Sequence, residues 1–179
     1  MSCDIVNKSF FSCLYDEYLY TSGRTVGNPA KIAYLWLMGR KFRANVWIAK
    51  MQHTRSKIIK KLIRNHLEAK YTILLYESAR IGSHFRVEHA MGIVIGQETI
   101  IGNQCKVYQQ VTFGQKNGKY PVIGDKVTIY PGAKIIGSVH VGDLAVIGTN
   151  AVVLHDVPEG TIVAGCPARI IGRVKNDGE

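Results

Sequence analysis

The chain has few cysteines and no long apolar run. Its 179 residues include four cysteines, Cys3, Cys13, Cys105 and Cys166, none of which forms a CxxC pair. This spacing suggests neither a disulfide framework nor a zinc site and predicts a reducing, cytoplasmic environment. No apolar stretch approaches the ~18 residues that span a bilayer, and the first residues lack the basic start and apolar run of a signal peptide. The sequence therefore predicts a soluble protein.

Acidic residues are also scarce, above all near the start of the chain. The chain carries 23 Lys and Arg against 13 Asp and Glu, a net charge of +10, and residues 1–70 hold thirteen of the basic and four of the acidic side chains. Such a region attracts nucleic acid, an anionic membrane surface or an acidic polymer. No nucleic-acid-binding module is recognisable, which disfavours the first partner. The charge alone does not distinguish an anionic membrane surface from an acidic polymer as the partner.

Apolar residues in residues 1–70 show helical spacing and predict two or three helices. Asn28 followed by Pro29 is typical of a helix N-terminus. The last apolar stripe, in residues 58–67, lies beside four basic side chains: Lys57, Lys60, Lys61 and Arg64. Two interpretations stay open for this helix. It lies on a membrane surface, or, as we favour, it packs its stripe on the rest of the protein or on a neighbouring chain.

From about residue 71 an apolar residue recurs every six positions. Ile or Val occupies ten of the thirteen positions of this series between Ile81 and Val153, and the exceptions are Thr99, Cys105 and Asn117. A period of six fits neither an amphipathic helix, which repeats every 3.6 residues, nor a simple strand, which repeats every two. It predicts a triangular coil, in which each unit is one strand and one corner and three units form a rung.

The sequence thus divides into three parts. Residues 1–70 form a helical N-terminal segment, residues 71–165 form the coil, and residues 166–179 form a C-terminal turn and tail. Residues 115–121 are polar and are predicted to form a loop pushed out of the repeat. The predicted fold class is mainly β.

Four segments of the coil resemble a known family. They are EHAMGIVIG at 88–96, QVTFG at 110–114, GAKIIG at 132–137 and AGCPARIIG at 164–172. In these segments, in their order and nearly in their spacing, the chain resembles the hexapeptide-repeat acyltransferases, most closely the serine acetyltransferase branch. The resemblance implies a left-handed parallel β-helix and acetyl-CoA as co-substrate. It also implies a homotrimer whose active sites lie between adjacent coils.

The resemblance also implies the site residues. His89 corresponds to the general base that takes the proton of an acceptor hydroxyl, a task that suits a side chain titrating near neutral pH. Glu88, beside it, is the second candidate catalytic residue: it lies where the family has another aspartate, outside the position of the orienting carboxylate, and Glu77 is the alternative for that task. No histidine has a partner at metal-ligand spacing, so no metal is predicted. The predicted acetyl-CoA groove is formed by Gly114, Gln115, Pro131, Gly132 and Thr149, with Lys134 and Arg169 at the phosphates.

The chain departs from the family pattern at two places that bear on the acceptor. An aspartate lies fifteen residues before the catalytic histidine in serine acetyltransferases, and here that position is Leu74. The Arg-His pair that binds the serine carboxylate corresponds to Lys119 and Tyr120. A zwitterionic acceptor needs paired charges and a neutral sugar does not. These departures favour a sugar or surface-polysaccharide acceptor bound near Lys119 and Tyr120, with aromatic contacts from Tyr108, Tyr120, Tyr130 and Phe113.

Two alternatives stay open. The first is a serine O-acetyltransferase of cysteine biosynthesis, and the second is a non-enzymatic trimeric scaffold, which predicts no CoA binding. With a polysaccharide acceptor, the basic N-terminal segment holds an acidic polymer or keeps the enzyme at the inner face of the membrane.

Overall fold

Four helices precede a parallel β-coil. The structure is a computed structural model that describes residues 8–23 and 27–174. Cys3 and residues 175–179 of the predicted tail lie outside the described residues. The helices are α1 (Phe10–Ser22), α2 (Pro29–Met38), α3 (Arg40–Gln52) and α4 (Lys57–Tyr71). The side chain of Asn28 accepts a hydrogen bond from the backbone N–H of Lys31 and begins α2, with Pro29 as its first residue.

The strands form the three faces of the coil. The first face is β1 (Ile73–Leu75), β4 (Ile93–Ile95), β7 (Thr112–Gly114), β10 (Lys134–Ile136) and β13 (Val152–Val153). The second face is β2 (Arg80–Ile81), β5 (Ile100–Ile101), β8 (Val122–Ile123) and β11 (His140–Val141). The third face is β3 (Arg86–Val87), β6 (Lys106–Val107), β9 (Thr128–Ile129), β12 (Val146–Ile147) and β14 (Thr161–Ala164), with the antiparallel β15 (Arg169–Arg173) at its end. The predicted parallel β-helix with an N-terminal helical segment is confirmed.

The inward side chains of each rung stack on the side chains at the equivalent positions of the next rung. On the second face Ile81, Ile101 and Ile123 lie in register, and on the third face Val107 lies in register with Ile129. Ile101 and Ile123 are 2% exposed, and Val107 and Ile129 are fully buried. Burying one such side chain contributes about 1.5–3 kcal/mol, which explains why Ile and Val recur at these positions.

The inward positions do not keep one phase along the coil, contrary to the prediction from the six-residue series. The strand position of Val87 is next occupied by Ile95, eight residues on, which pairs with Leu75 below it and with Phe113 above it. After Phe113 the same strand position is next occupied by Ile123, ten residues on. One corner of the coil is therefore two residues longer than the repeat, and another is four residues longer.

The two insertions add up to one six-residue unit, so the original phase returns at Ile123. The first insertion lies in the corner between β3 and β4, and the second lies in the predicted loop at 115–121. Between them, the series falls on a second buried position, two residues before the strand position of Val87 and Ile95. Thr99 and Cys105, two of its exceptions, occupy that position and are fully buried.

Helix α3 closes the first end of the coil. The side-chain oxygen of Asn45 accepts the Val87 N–H at 2.8 Å, and its nitrogen donates to the Val87 carbonyl at 3.3 Å. Two turns later the Gln52 side-chain oxygen accepts the Ile81 N–H at 3.2 Å. The first rung has no rung beneath it, so these side-chain amides pair backbone groups that are otherwise left open.

The sequence predicted two or three helices, and α3 is the helix that it missed. The buried residues of α3 include Phe42, Ala44, Val46 and Ile48, whose alternate spacing is typical of a strand. The helix is buried on two sides, because Phe42 and Val46 pack with residues of α1 while Ala44 and Ile48 join the core of the coil. Burial on two sides conceals helical periodicity.

Two of the basic side chains beside the α4 stripe contact the coil. The guanidinium of Arg64 lies 3.3 Å from the Glu77 carboxylate, and the Lys60 ammonium donates to the Glu77 backbone carbonyl at 3.3 Å. In the stripe, Ile63 and Leu67 are buried in the core of the coil. No helix in residues 8–23 and 27–174 is long and apolar enough to cross a bilayer.

Candidate active site

His89 lies on an exposed corner of the first rung, in the two-residue insertion between β3 and β4. Its backbone carbonyl accepts the Met91 N–H at 2.9 Å, which makes a tight bend, and Gly92 follows with a φ of 63°. The longer corner carries the imidazole outward, away from the core. A group at this place can meet a substrate lying along the edge between the third and first faces.

The imidazole has two neighbours from the second rung. Its Nδ1 lies 2.8 Å from the side-chain oxygen of Gln109. The ring of Tyr108 meets the imidazole edge-on, with centroids 5.6 Å apart and an interplanar angle of 81°. Tyr108 is in turn stacked on Tyr130 of the third rung, with centroids 5.2 Å apart. Side chains one rung up therefore restrict the position of the imidazole.

The Glu88 carboxylate is bound by basic side chains. The Lys41 ammonium of α3 forms a close ion pair with it, and the Arg86 Nε lies 3.7 Å away. Burial acts to raise the pKa of the Glu88 carboxyl, but the hydrogen bond and charge of Lys41, with the charges of Arg86 and Lys106, outweigh it and lower the pKa. The structure thus gives this predicted catalytic residue partners other than His89.

A second carboxyl, from α1, lies beside this group of charges. Glu17 is 8% exposed, and burial raises its pKa to about 7, although a hydrogen bond from the Thr21 hydroxyl and the charges of Arg86 and Lys41 oppose the rise. A carboxyl buried to this extent is partly protonated near neutral pH.

Three predicted cofactor residues share the edge of His89. Pro131 and Gly132 lie on the third rung and Thr149 on the fourth, at the corners that precede β10 and β13. Adjacent strands are about 4.8 Å apart, so this column extends about 14 Å from His89 to Thr149. Gly132 is required here, because its φ is 76° and a Cβ would lie 2.0 Å from the Asn150 side-chain oxygen.

The two predicted phosphate contacts are differently placed. The Lys134 ammonium lies at the same edge, where it donates to the carbonyls of Gln110, at 2.7 Å, and Gly132, at 3.0 Å. Arg169 lies exposed on β15 and donates to the carbonyl of Ala168 at 3.0 Å. It lines a surface depression of about 330 Å³ at the last rung of the coil.

The remaining predicted site residues lie at the opposite end of the first face. Gly114 ends β7, and the Gln115 side-chain oxygen accepts the Gly118 N–H at 2.7 Å inside the loop. Strands of three residues, about 10 Å long, separate this edge from the His89 edge. Within one chain, the structure therefore does not bring Gly114, Gln115, Lys119 and Tyr120 together with His89.

The loop residues predicted to bind the acceptor differ in exposure. Lys119 is exposed, and its backbone pairs with that of Lys116 in an isolated β-bridge. Tyr120 is half-buried against Gly96, where a Cβ would lie 2.6 Å from the tyrosine ring. Phe113 is fully buried in the coil core, so the prediction that it contacts a sugar is wrong.

Sequence reasoning missed two residues of the site, Gln109 and Lys41. Gln109 follows His89 by 20 residues, the length of a rung of three six-residue units plus the two inserted residues. Counting one rung from the histidine identifies Gln109 only when the two residues inserted at the His89 corner are included. Lys41 lies 47 residues before Glu88, on the helix that the sequence did not predict, and carried no local signal.

The arrangement suits proton transfer. An imidazole held through Nδ1 offers its other nitrogen to an incoming hydroxyl. The corners of the rungs above it, which carry Pro131, Gly132 and Thr149, present backbone groups and the Thr149 hydroxyl along an exposed edge. Among the side chains that the structure describes, no group of three His, Cys, Asp or Glu is placed to hold a metal ion.

Comparison with protein families and curated proteins gives consistent matches. Residues 120–155 match the bacterial transferase hexapeptide model, which comprises six repeats. The chain is 45% identical over 103 residues to the serine acetyltransferase of Bacillus licheniformis, an alignment that covers 55% of this chain and 48% of that protein. The chain thus spans about half the length of the curated relatives it matches.

Solved structures match nearly the whole chain. The crystal structure of serine acetyltransferase from Vibrio cholerae superposes with a TM-score of 0.77 and 30% identity, over 94% of this chain and 67% of that one. A serine acetyltransferase in complex with CoA superposes with a TM-score of 0.75 and 31% identity, over 91% of this chain and 70% of that one. The similarity therefore includes the helical segment as well as the coil.

Proposed function

Because the chain belongs to the serine acetyltransferase branch of the hexapeptide-repeat acyltransferases, we propose that it transfers an acetyl group from acetyl-CoA to an acceptor hydroxyl. The observation that carries the proposal is His89, an exposed imidazole held at the edge that also carries Pro131, Gly132 and Thr149. Acetyl-CoA is the donor, and the CoA complex of a similar enzyme supports this choice.

In the proposed reaction the imidazole of His89 takes the proton of the acceptor hydroxyl as its oxygen attacks the thioester carbonyl. An alcohol is a weak nucleophile at neutral pH, so removing the proton during attack lowers the barrier. The carbon–sulfur bond then breaks, and the thiolate of CoA leaves and receives the proton from the imidazolium. The products are an acetyl ester and free CoA, and the base is restored.

The proposed active unit is a homotrimer. Within one chain the predicted cofactor and acceptor residues occupy two edges of the first face, about 10 Å apart. Packing the His89 edge of one copy against the loop edge of another unites the two groups of residues. The resemblance to trimeric acyltransferases supports this arrangement.

We favour serine as the acceptor over a sugar. The three relatives described above are all serine acetyltransferases, and none supports the sugar or surface-polysaccharide acceptor that the sequence favours. The aromatic side chains offer little to a sugar ring, since Tyr108 is stacked on Tyr130 and Tyr120 is packed on Gly96. Neither observation supports the predicted association with an acidic polymer or a membrane surface.

The test is an assay of CoA release from acetyl-CoA with serine and with a panel of neutral and acidic sugars. We expect serine to be turned over, and His89→Ala to lower kcat by about 10²- to 10⁴-fold while the KM for acetyl-CoA changes little. His140→Ala is the matched control, because His140 is exposed on the second face of the coil. It should retain full activity.

Three outcomes contradict parts of the proposal. Sugar turnover without serine turnover overturns the acceptor and leaves acetyl transfer intact. Equal activity of the His89→Ala and wild-type proteins overturns the role of His89. No CoA binding by calorimetry, together with no turnover of any acceptor, supports the scaffold alternative.

A further inference from the structure

No carboxylate is hydrogen-bonded to His89 in the described residues. Leu74 of β1, fifteen residues before His89, carries no carboxylate. The Glu88 carboxylate is paired with Lys41 and Arg86. In the part of the chain that the structure describes, the one side chain hydrogen-bonded to the imidazole is that of Gln109, at 2.8 Å from Nδ1.

Backbone hydrogen bonds fix Gln109 at this position. Its carbonyl accepts the Gly132 N–H of the rung above at 3.0 Å, and the next residue, Gln110, donates its N–H to Met91 of the rung below at 2.9 Å. The register of β3 with β6 places the corner of Gln109 directly above that of His89. The amide is therefore presented from a rigid corner bonded on both sides.

We propose that Gln109 is the positioning residue of His89. Its amide oxygen accepts the Nδ1–H of the imidazole, which leaves the lone pair of Nε2 directed at the acceptor hydroxyl. The amide selects one tautomer and one ring orientation, as a carboxylate does. Unlike a carboxylate, it adds no charge, so it stabilises the imidazolium of the reaction less.

The proposal rests on acetyl transfer at His89 but makes a prediction that needs no turnover. In protein labelled with ¹⁵N-histidine, the imidazole shifts of His89 should identify the Nδ1–H tautomer in the wild type. Gln109→Leu removes the acceptor and should shift His89 to a mixture of tautomers. A His89 that is protonated on Nε2 in the wild type, or unaffected by Gln109→Leu, overturns the proposal whether or not the chain transfers acetyl groups.

The kinetic test separates positioning from structural damage. Gln109→Leu should lower kcat about tenfold or more, within the range set by loss of the base itself, with less than about a threefold change in the KM for acetyl-CoA. Gln109→Glu restores an acceptor that is also charged. It should recover turnover at alkaline pH and move the acidic limb of the kcat/KM profile to higher pH than in the wild type, because a carboxylate stabilises the imidazolium.

Gln104→Glu is the control for the added charge. Gln104 is exposed on the corner between the second and third faces. Its substitution by Glu should leave the pH profile of kcat/KM unchanged. If Gln109→Glu and Gln104→Glu give the same profile, or if Gln109→Leu retains the kcat of the wild type, Gln109 does not position the base.

Discussion

The coil and the helical segment bury their side chains in different ways. In the coil the neighbour of each inward residue lies one rung away, and every rung presents nearly the same surroundings, so Ile and Val recur. In the helical segment each buried residue has its own surroundings. Tyr18 of α1 and Phe42 of α3 belong to a small cluster between these two helices, whereas Leu67 belongs to the core of the coil. A repeated environment leaves a sequence period, and an individual one does not.

The two regions meet at the first rung, which also carries His89. There α3 bonds to the open backbone of β3 through Asn45, and Lys41 pairs with Glu88 beside the histidine. The helical segment is therefore part of the support of the candidate active site. Substitutions in the coil, at the junction and beneath α1 distinguish these contributions.

The largest expected effect is in the coil core. Phe113→Ala removes a fully buried ring that lies in register between Ile95 and Ile135, and should lower the free energy of unfolding by about 3–5 kcal/mol. The same substitution at Phe11, which is 77% exposed on α1, should change it by less than about 0.5 kcal/mol. Urea unfolding measures both, and equal losses contradict the burial that separates the two sites.

The next effect is at the junction. Asn45→Ala leaves the N–H and carbonyl of Val87 without their side-chain partners, at about 1–3 kcal/mol for each buried group. We expect a loss of about 2–4 kcal/mol and faster hydrogen exchange at the Val87 amide. Asn65→Ala, at an exposed position of α4, is the control and should cost nothing measurable. Unaltered exchange at Val87 indicates that α3 does not close the coil in this way.

The smallest effect concerns Glu17, whose pKa in the folded protein is raised to about 7 from 4.5. Between pH 4.5 and about 7, the Glu17 carboxyl keeps its proton in the folded state and has lost it in the unfolded state. Stability should therefore fall as pH rises from 4.5 to 7, by up to about 2–3 kcal/mol. Glu17→Gln removes this dependence and should be more stable than wild type at pH 8. Urea midpoints at pH 5 and pH 8 test this, with the exposed Glu68→Gln as control, and equal pH dependence of wild type and Glu17→Gln contradicts it.

The sequence allowed the coil and its histidine to be predicted because both are local features. The six-residue period arises from a single strand and corner, and the segment around His89 is contiguous. The same locality explains the error in phase. Thr99 and Cys105 looked like interruptions of one series, whereas the chain had shifted by two residues at one corner and by four at another.

The rest of the site depends on contacts that are distant in sequence. Gln109 reaches His89 across a whole rung, and that distance became known only once the length of the His89 corner was known. Lys41 reaches Glu88 from a helix whose alternate apolar residues concealed it. The exposure of Lys119 and the burial of Phe113 follow from the loop and the strand on which each lies, which the period alone did not assign.

The return of the phase after the second insertion shows where this architecture allows changes in length. Extra residues leave the coil at a corner, and the next strand rejoins the stack in register with the strand below it. The core thus constrains residue type at the strands and leaves chain length free at the corners. We therefore expect loop 115–121 to tolerate exchange for a loop of another length, with the thermal stability of the coil unchanged.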